Sequence, residues 1–298
     1  MPQSRAPSPN DSLDSFSAFE HGGWQSIAGP YQDAFGALTT QCIDQLLDAV
    51  HASAGMRLLD VASGPGYVAA AAARRGVAAT GLDFSAAMIA EAAALHPGVE
   101  FLEGNAERLP FPDEHFEAVT IGFGMLHFPN PDRALIEAYR VLRPGGRVGF
   151  TVWAGPDQAV GFGMVMQAIQ QQGDMNVGLP QGPPFFRFSD PAQCKKALGA
   201  AGFAQPDVTE IPQTWRFASP GEFFRGIQRS TVRTAALLRA QQPEALARIR
   251  CAIEKQADGY RRANGMIELP MPAVLACAVK KPRMTLDPIS QSVTRDLL

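Results

Sequence analysis

Arg57-Leu-Leu-Asp60-Val-Ala-Ser-Gly64-Pro-Gly66-Tyr67, then an alanine-rich run and Gly81-Leu-Asp83, is the stretch that decides how this chain folds. The apolar run ending at Asp60 reads as a strand, Gly64-Pro65-Gly66 as a tight turn, and the alanines as a helix. Residues 77–82 read as a second strand, which also ends in an acid, Asp83. Glycines at 64 and 66 let the backbone turn sharply and approach a ligand closely. The helix start behind them offers unpaired N–H groups to electronegative atoms. Asp83 follows Gly66 by 17 residues, about where a βαβ nucleotide-binding unit places the acid that takes ribose hydroxyls. A nucleoside-binding βαβ unit follows.

The spacing Gly64-x-Gly66-x-x-Ala69 also suits a nicotinamide dinucleotide, so the choice of nucleoside falls to Asp60. A carboxylate there would face a pyrophosphate, which electrostatics disfavours, whereas it suits a cationic sulfonium amino acid with an ammonium group. Leu58-Leu-Asp60-Val-Ala-Ser-Gly-Pro-Gly66 resembles motif I of the class I S-adenosylmethionine-dependent methyltransferases. The closest subgroup is the small-molecule enzymes similar to those of ubiquinone and menaquinone biosynthesis. The resemblance implies an α/β, doubly wound, mostly parallel seven-stranded Rossmann-like sheet with an antiparallel last strand and a helical cap. It implies S-adenosyl-L-methionine as cofactor, with Asp60, Ala62, Ser63, Gly64 and Gly66 among the residues that bind it.

Later motifs extend the likeness to about residue 153. Gly81-Leu-Asp-Phe-Ser-Ala-Ala-Met88 resembles the family's second motif. By that resemblance Asp83 takes the ribose hydroxyls, and Phe84 and Met88 line the adenine. Ser85 stands as N-cap of a helix over 86–95. After a third strand, 99–103, Gly104-Asn105-Ala106 resembles the adenine-edge motif, with Asn105 where the family has Asp. An amide oxygen still accepts from an exocyclic amine, without the charge-assisted increment, and the Ala106 N–H would meet the ring. The fourth strand, 116–121, opens into Gly122-Phe-Gly-Met-Leu-His127-Phe128, the loop the family turns to the cofactor and substrate. Asn130-Pro131-Asp132 starts a helix with a capping side chain, Pro at N1 and an acid in the first turn. Arg143-Pro-Gly-Gly146 stops it before the next strand.

The remainder of the chain sets limits more than it names a substrate. Its 298 residues are 46% hydrophobic and 18% charged with a net charge of −3. That suits a globular protein and leaves no footprint for nucleic acid. Cys42, Cys194, Cys251 and Cys277 are too scattered for a zinc motif, and no metal is expected; reduced thiols in a cytoplasmic setting are the expectation. No apolar run approaches the ~18 residues of a membrane span, so no membrane insertion is expected. The spacing divides the chain into a disordered start at 1–15 and an N-terminal helical lid at 16–51. A cofactor-binding core at 52–155, the rest of the sheet with a helical substrate cap at 156–281, and a loose tail at 282–298 follow. Gly22-Gly23 and Gly29-Pro30 are expected to break the lid into short pieces. Residues 157–173 read as a helix, 208–217 as one strand, Ser219-Pro-Gly-Glu222 as a capping box, and 270–280 as an antiparallel hairpin partner closing the sheet.

Candidate substrate contacts are Trp24 and Tyr31 in the lid, His127, and Phe185 and Phe186 in a Pro- and aromatic-rich loop. Phe162, Phe188, Trp215, Phe223 and Phe224 complete a pool for an apolar pocket around a planar small molecule. His127 is the candidate catalytic base, because imidazole has an ordinary pKa of about 6.5; the alternative is that it shapes the pocket edge. The expected reaction is in-line transfer of a methyl group to an oxygen, nitrogen or carbon of a small acceptor. A non-catalytic cofactor-binding scaffold and a nicotinamide-dependent reductase remain as alternatives.

Overall fold

A computed structural model describes residues 9–282. The N-terminal run comprises α1 (Pro9–Tyr31), a π-helical turn at Gln32–Gly36, α2 (Ala37–Thr39), a 3₁₀ turn and α3 (Ile43–Ala49). Residues 9–15, expected as part of a disordered start, are therefore helical. Residues 1–8 and the expected tail from 283 lie outside the described residues. α1 also runs unbroken through both glycine-containing breaks. A Cβ on Gly23 would come within 2.3 Å of Val232, so this glycine lets α1 pack closely on its neighbour. That tertiary contact overrides a helix-propensity cost of about 1 kcal/mol. The Pro30 carbonyl accepts from Ser230 Oγ at 2.7 Å.

The core then alternates β1 (Arg57–Val61), α4 (Tyr67–Arg74), β2 (Ala78–Asp83), α5 (Ala86–Leu95), β3 (Glu100–Glu103), β4 (Phe116–Gly122), α6 (Pro131–Val141) and β5 (Leu142–Trp153). Local chemistry fixes these helix starts as expected. Ser85 Oγ accepts from Met88 N, and Asn130 Oδ1 accepts from Arg133 N with Pro131 in the first turn. β5 begins earlier than the Pro-Gly-Gly stop suggested, and its pairing with β4 shifts register between Phe116 and Ala118 to absorb that segment.

The last third holds α7 (Val160–Gln172), α8 (Pro191–Ala200), β6 (Ala204–Ile211), β7 (Thr214–Phe217), α9 (Pro220–Ser230), α10 (Arg233–Arg239), α11 (Pro243–Asp258), β8 (Ile267–Pro270) and β9 (Ala273–Val279). The main sheet has order β3-β2-β1-β4-β5-β9-β6. β9 is antiparallel to both neighbours and the other paired strands are parallel, which is the expected α/β sheet. Two sequence expectations need correction. The single strand at 208–217 is two strands in different sheets, because Pro212 interrupts the backbone ladder and Gln213 is instead fixed by its amide to Leu38 O at 2.9 Å. Residues 270–280 form no hairpin: β8 pairs β7 apart from the main sheet, and β9 inserts between β5 and β6.

One face of the sheet packs on α6 and α8 through Leu59, Ile121, Leu135, Phe150 and Leu198. The other joins the N-terminal run to α7, α9 and α11 through Phe35, Leu46, Trp153, Phe162, Trp215 and Phe223. The lid and cap segments thus share one apolar core, and Phe188, Phe223, Phe224 and Trp215 are buried within the molecule.

Candidate active site

β1, β2, β3, β4 and β5 run parallel and deliver their carboxyl-end loops to one edge, with the order reversing between β1 and β4. Ligands of open α/β sheets bind in that crevice. The cavity found there is lined by Ala62 and Gly64 after β1, Asp83, Phe84 and Met88 around the β2 end, Asn105 and Ala106 after β3, and Gly122 at the β4 end. A narrower cavity shares Ala62, Gly64 and Gly122 with it and is lined also by Asp60 and Ser63. Of the expected cofactor residues, Gly66 alone lies outside both linings.

Gly66 has a different reason to be glycine. It adopts φ +81°, and a Cβ would come within 2.5 Å of the Phe101 ring. Its freedom serves the packing of the turn against β3, not direct approach to a ligand. Gly64 is the residue left open to one, since a Cβ there would meet nothing within 4 Å. Two non-glycine residues at the cavity, Ala62 and Phe123, hold left-handed φ values of 55° and 56°, the kind of local strain that collects at functional sites.

The two expected carboxylates are both buried but differently used. Asp83 Oδ2 accepts from Gly64 N and Oδ1 from Ser85 N, each at 2.9 Å. Each carboxylate oxygen has two acceptor sites, so capacity remains for a pair of hydroxyls. Burial raises its pKa, against the lowering effect of those N–H groups. Asp60 is 1% exposed; Oδ1 accepts from Thr120 Oγ1 at 3.0 Å and Oδ2 from Ala69 N at 3.2 Å. Burial pushes it up to about 7, against those two hydrogen bonds. Asn105 Oδ1 accepts from Glu107 N at 2.7 Å, so the amide oxygen expected to face an adenine amine also braces its own turn. Ser63 Oγ is buried with no hydrogen-bond partner among the described residues.

The Asp60 shift has a sign that can be tested without any ligand. Between the ordinary value of 3.8 and about 7, the native state holds a proton that the unfolded chain has released. Stability therefore falls as pH rises through that window, by up to about 4 kcal/mol. Asp60→Asn keeps the shape, with its amide oxygen facing Ala69 N and the Thr120 hydroxyl reversing its role. The variant should match wild type near pH 4 and exceed it at pH 8, by several degrees in melting temperature. Parallel pH–stability curves for the two proteins would refute the assignment.

Aromatic side chains complete the wall. Trp24, Tyr31, Phe35, Phe123, Trp153, Phe162 and Phe185 line the main cavity. Phe123 stacks on Trp153 with ring centroids 4.1 Å apart, and Phe162 meets Trp153 and Phe185 edge-on or tilted at 5.5 Å each. Burial raises the Tyr31 phenol to about 12, keeping it a neutral donor. The candidate Phe186 is not part of this wall; it packs edge-on against Phe185 at 4.9 Å.

His127 lines the cavity, and its Nδ1 lies 2.9 Å from Glu20 Oε2. The same oxygen accepts from Trp24 Nε1 at 3.0 Å, and the Trp24 and His127 rings meet edge to face at 4.7 Å. Glu20 is fully buried, and its other oxygen has no partner among the described residues. Sequence reading missed Glu20 because no motif marks it. The one available signal was a carboxylate one helical turn before Trp24 and after Phe16, on an otherwise apolar face. It also missed Arg233, which lines the cavity from α10. Among the described residues no group of three or more His, Cys, Asp or Glu is placed to hold a metal ion, and no helix is long and apolar enough to cross a membrane. The four cysteines are free.

Comparison with known proteins agrees with this geometry. Residues 59–150 match the family described as a methyltransferase domain. A demethylmenaquinone methyltransferase of Renibacterium salmoninarum is 42% identical over 103 residues, covering 35% of this chain and 44% of that protein. A ubiquinone/menaquinone biosynthesis C-methyltransferase of Bartonella bacilliformis is 44% identical over 105 residues, covering 32% of this chain and 40% of it. The match thus spans less than half the length of these curated relatives. Among solved structures, the YcgJ protein of Bacillus subtilis has a TM-score of 0.52 at 21% identity, over 80% of this chain and 97% of that one. Phosphoethanolamine N-methyltransferase 2 of Haemonchus contortus, solved with phosphomonomethylethanolamine and S-adenosylhomocysteine, has a TM-score of 0.53 at 18% identity. It covers 93% of this chain and 61% of that one. At these identities the structural likeness is one of fold.

Proposed function

We propose that this chain is an S-adenosylmethionine-dependent methyltransferase acting on a planar, apolar small molecule, with the Glu20–His127 pair receiving the acceptor's proton. The observation that carries the reading is a single cavity lined jointly by the motif loops, His127 among them, and by aromatic side chains from α1, α7 and the 173–186 loop. The residues present fit the cofactor. Asp83 has acceptor capacity left for two hydroxyls, Ser63 holds a buried hydroxyl with no partner among the described residues, and Gly64 leaves room for close approach. Asp60 stands where an ammonium group would be welcome and a diphosphate would not. That geometry favours S-adenosylmethionine over a nicotinamide dinucleotide.

When bound, S-adenosylmethionine supplies an electrophilic methyl group whose bonding pair stays with sulfur as the acceptor's pair forms the new bond. The chain's own residues do the rest. Trp24, Phe162 and Phe185 hold a flat acceptor by its faces and exclude water. α1, which contributes Ser17, Trp24 and Tyr31 to the cavity, serves as the lid. Glu20 Oε2 fixes the Nδ1–H of His127, which leaves Nε2 as the proton acceptor. The name of the Bartonella relative, a C-methyltransferase, favours carbon as the acceptor atom; there the displaced proton passes to Nε2.

Calorimetry with S-adenosylhomocysteine and with the reduced nicotinamide dinucleotides, followed by methyl transfer from labelled cofactor into a small-molecule extract, tests the proposal. Binding of S-adenosylhomocysteine and label in a small acceptor are expected. Binding of a nicotinamide nucleotide in its place overturns the cofactor. Tight S-adenosylhomocysteine binding without turnover on any acceptor leaves the scaffold reading standing.

A further inference from the structure

The aromatic wall lies mostly outside residues 59–150, on α1, the π-helical turn after it, the end of β5, α7 and the 173–186 loop. The acceptor must therefore be read from these residues themselves. Among the described residues that line the cavity, Arg233 is the sole Lys or Arg, and Ser230, Thr231 and Thr234 line it alongside. Its guanidinium lies 5.2 Å from the Phe16 ring centroid and 6.0 Å from that of Phe185. Nη1 donates to Pro183 O at 3.2 Å. A guanidinium has five N–H donors, and among the described residues no other acceptor and no carboxylate within ion-pair distance meets the remainder.

Burial lowers the Arg233 pKa, with the Glu20 charge acting the other way. Glu20 offsets part of the cost of burying this cation, yet stands beyond 4.0 Å with one oxygen committed to His127 and Trp24. A half-buried guanidinium, with donors that meet no acceptor among the described residues and with two phenyl rings beside it at an aromatic cavity, is a recognition site for a planar carboxylate. The acids that line the same cavity, Asp83 at the end of β2 and Glu107 after β3, make no ion pair with Arg233 among the described residues. A sulfonium cofactor bound there adds a positive charge that an anionic acceptor would balance.

We propose that Arg233 anchors a carboxylate at one edge of an otherwise apolar, planar acceptor, so that the cavity selects aromatic acids over their neutral counterparts. The inference rests on the acceptor occupying this cavity as the proposed methyltransferase reading requires. Naphthoate and naphthamide are matched probes, titrated by calorimetry with S-adenosylhomocysteine at saturation. Naphthoate should bind wild type at least about tenfold more tightly, with a preference that shrinks as salt rises. Arg233→Met should bring the two probes within about twofold, and Arg233→Lys should keep part of the difference. S-adenosylhomocysteine affinity should be unchanged in both variants, which shows that the core is folded. Equal binding of the probes to wild type, including no binding of either, overturns the anionic subsite, as does a preference that survives in Arg233→Met. Loss of S-adenosylhomocysteine binding by wild type instead sinks the cofactor reading, so the two failures are distinct.

Discussion

Asp83→Ala is expected to weaken S-adenosylhomocysteine binding by at least about 10²-fold. Two contributions add. The carboxylate has acceptor sites for two ribose hydroxyls, each charge-assisted bond being worth roughly 1.5–3 kcal/mol, and about 1.4 kcal/mol corresponds to a decade. It also receives the N–H groups of Gly64 and Ser85, so its removal frees the turn against which the nucleoside would lie. Asp83→Asn separates these effects. Its amide oxygen can still receive one backbone N–H, but the amide nitrogen faces the other as a second donor, so this variant should lose nearly as much. Isothermal calorimetry decides: affinity within a few-fold of wild type in Asp83→Ala would remove Asp83 from the binding site and return it to a purely structural brace.

Much of the cofactor half could be read from the chain because its determinants are local. Ser85 and Asn130 cap the helices that follow them, and the alternation of apolar strands with turn residues places five loops at one sheet edge. Asp60, Asp83 and Asn105 fall where their spacing puts them. What spacing did not reveal was the second partner of each group. Asn105 braces its own turn, Gly66 makes room for Phe101, and Asp60 is held by Thr120 from a neighbouring strand. The breaks assigned to Gly22-Gly23 and Gly29-Pro30 failed for the same reason. The close approach of Val232, more than 200 residues along the chain, outweighs local propensity. Glu20 and Arg233 belong to this class too. Each is an ordinary charged residue on a helix until the fold turns it inward, and only the cavity gives it a task.

His127 is the residue for which chemistry and packing make different predictions. A general base contributes typically 10²–10⁴-fold, whereas a lost wall contact of about 1 kcal/mol costs only several-fold. Truncation to alanine would confuse the two, because it leaves the buried Glu20 carboxylate with Trp24 Nε1 as its remaining donor among the described residues. A buried acceptor short of donors is itself destabilising. His127→Asn avoids this by keeping an N–H near the position of Nδ1 for Glu20 Oε2 while supplying no base. It is expected to lower kcat by at least about 10²-fold with S-adenosylhomocysteine affinity intact. His127→Gln tests the same loss with a longer side chain. Glu20→Gln should preserve the hydrogen bond to Nδ1 and the tautomer but remove the charge that stabilises the imidazolium, lowering kcat by roughly tenfold. Nitrogen-15 shifts of the ring would report the tautomer in both proteins without any acceptor. A kcat loss below tenfold in His127→Asn would make His127 part of the pocket wall and leave positioning and desolvation as the main sources of rate.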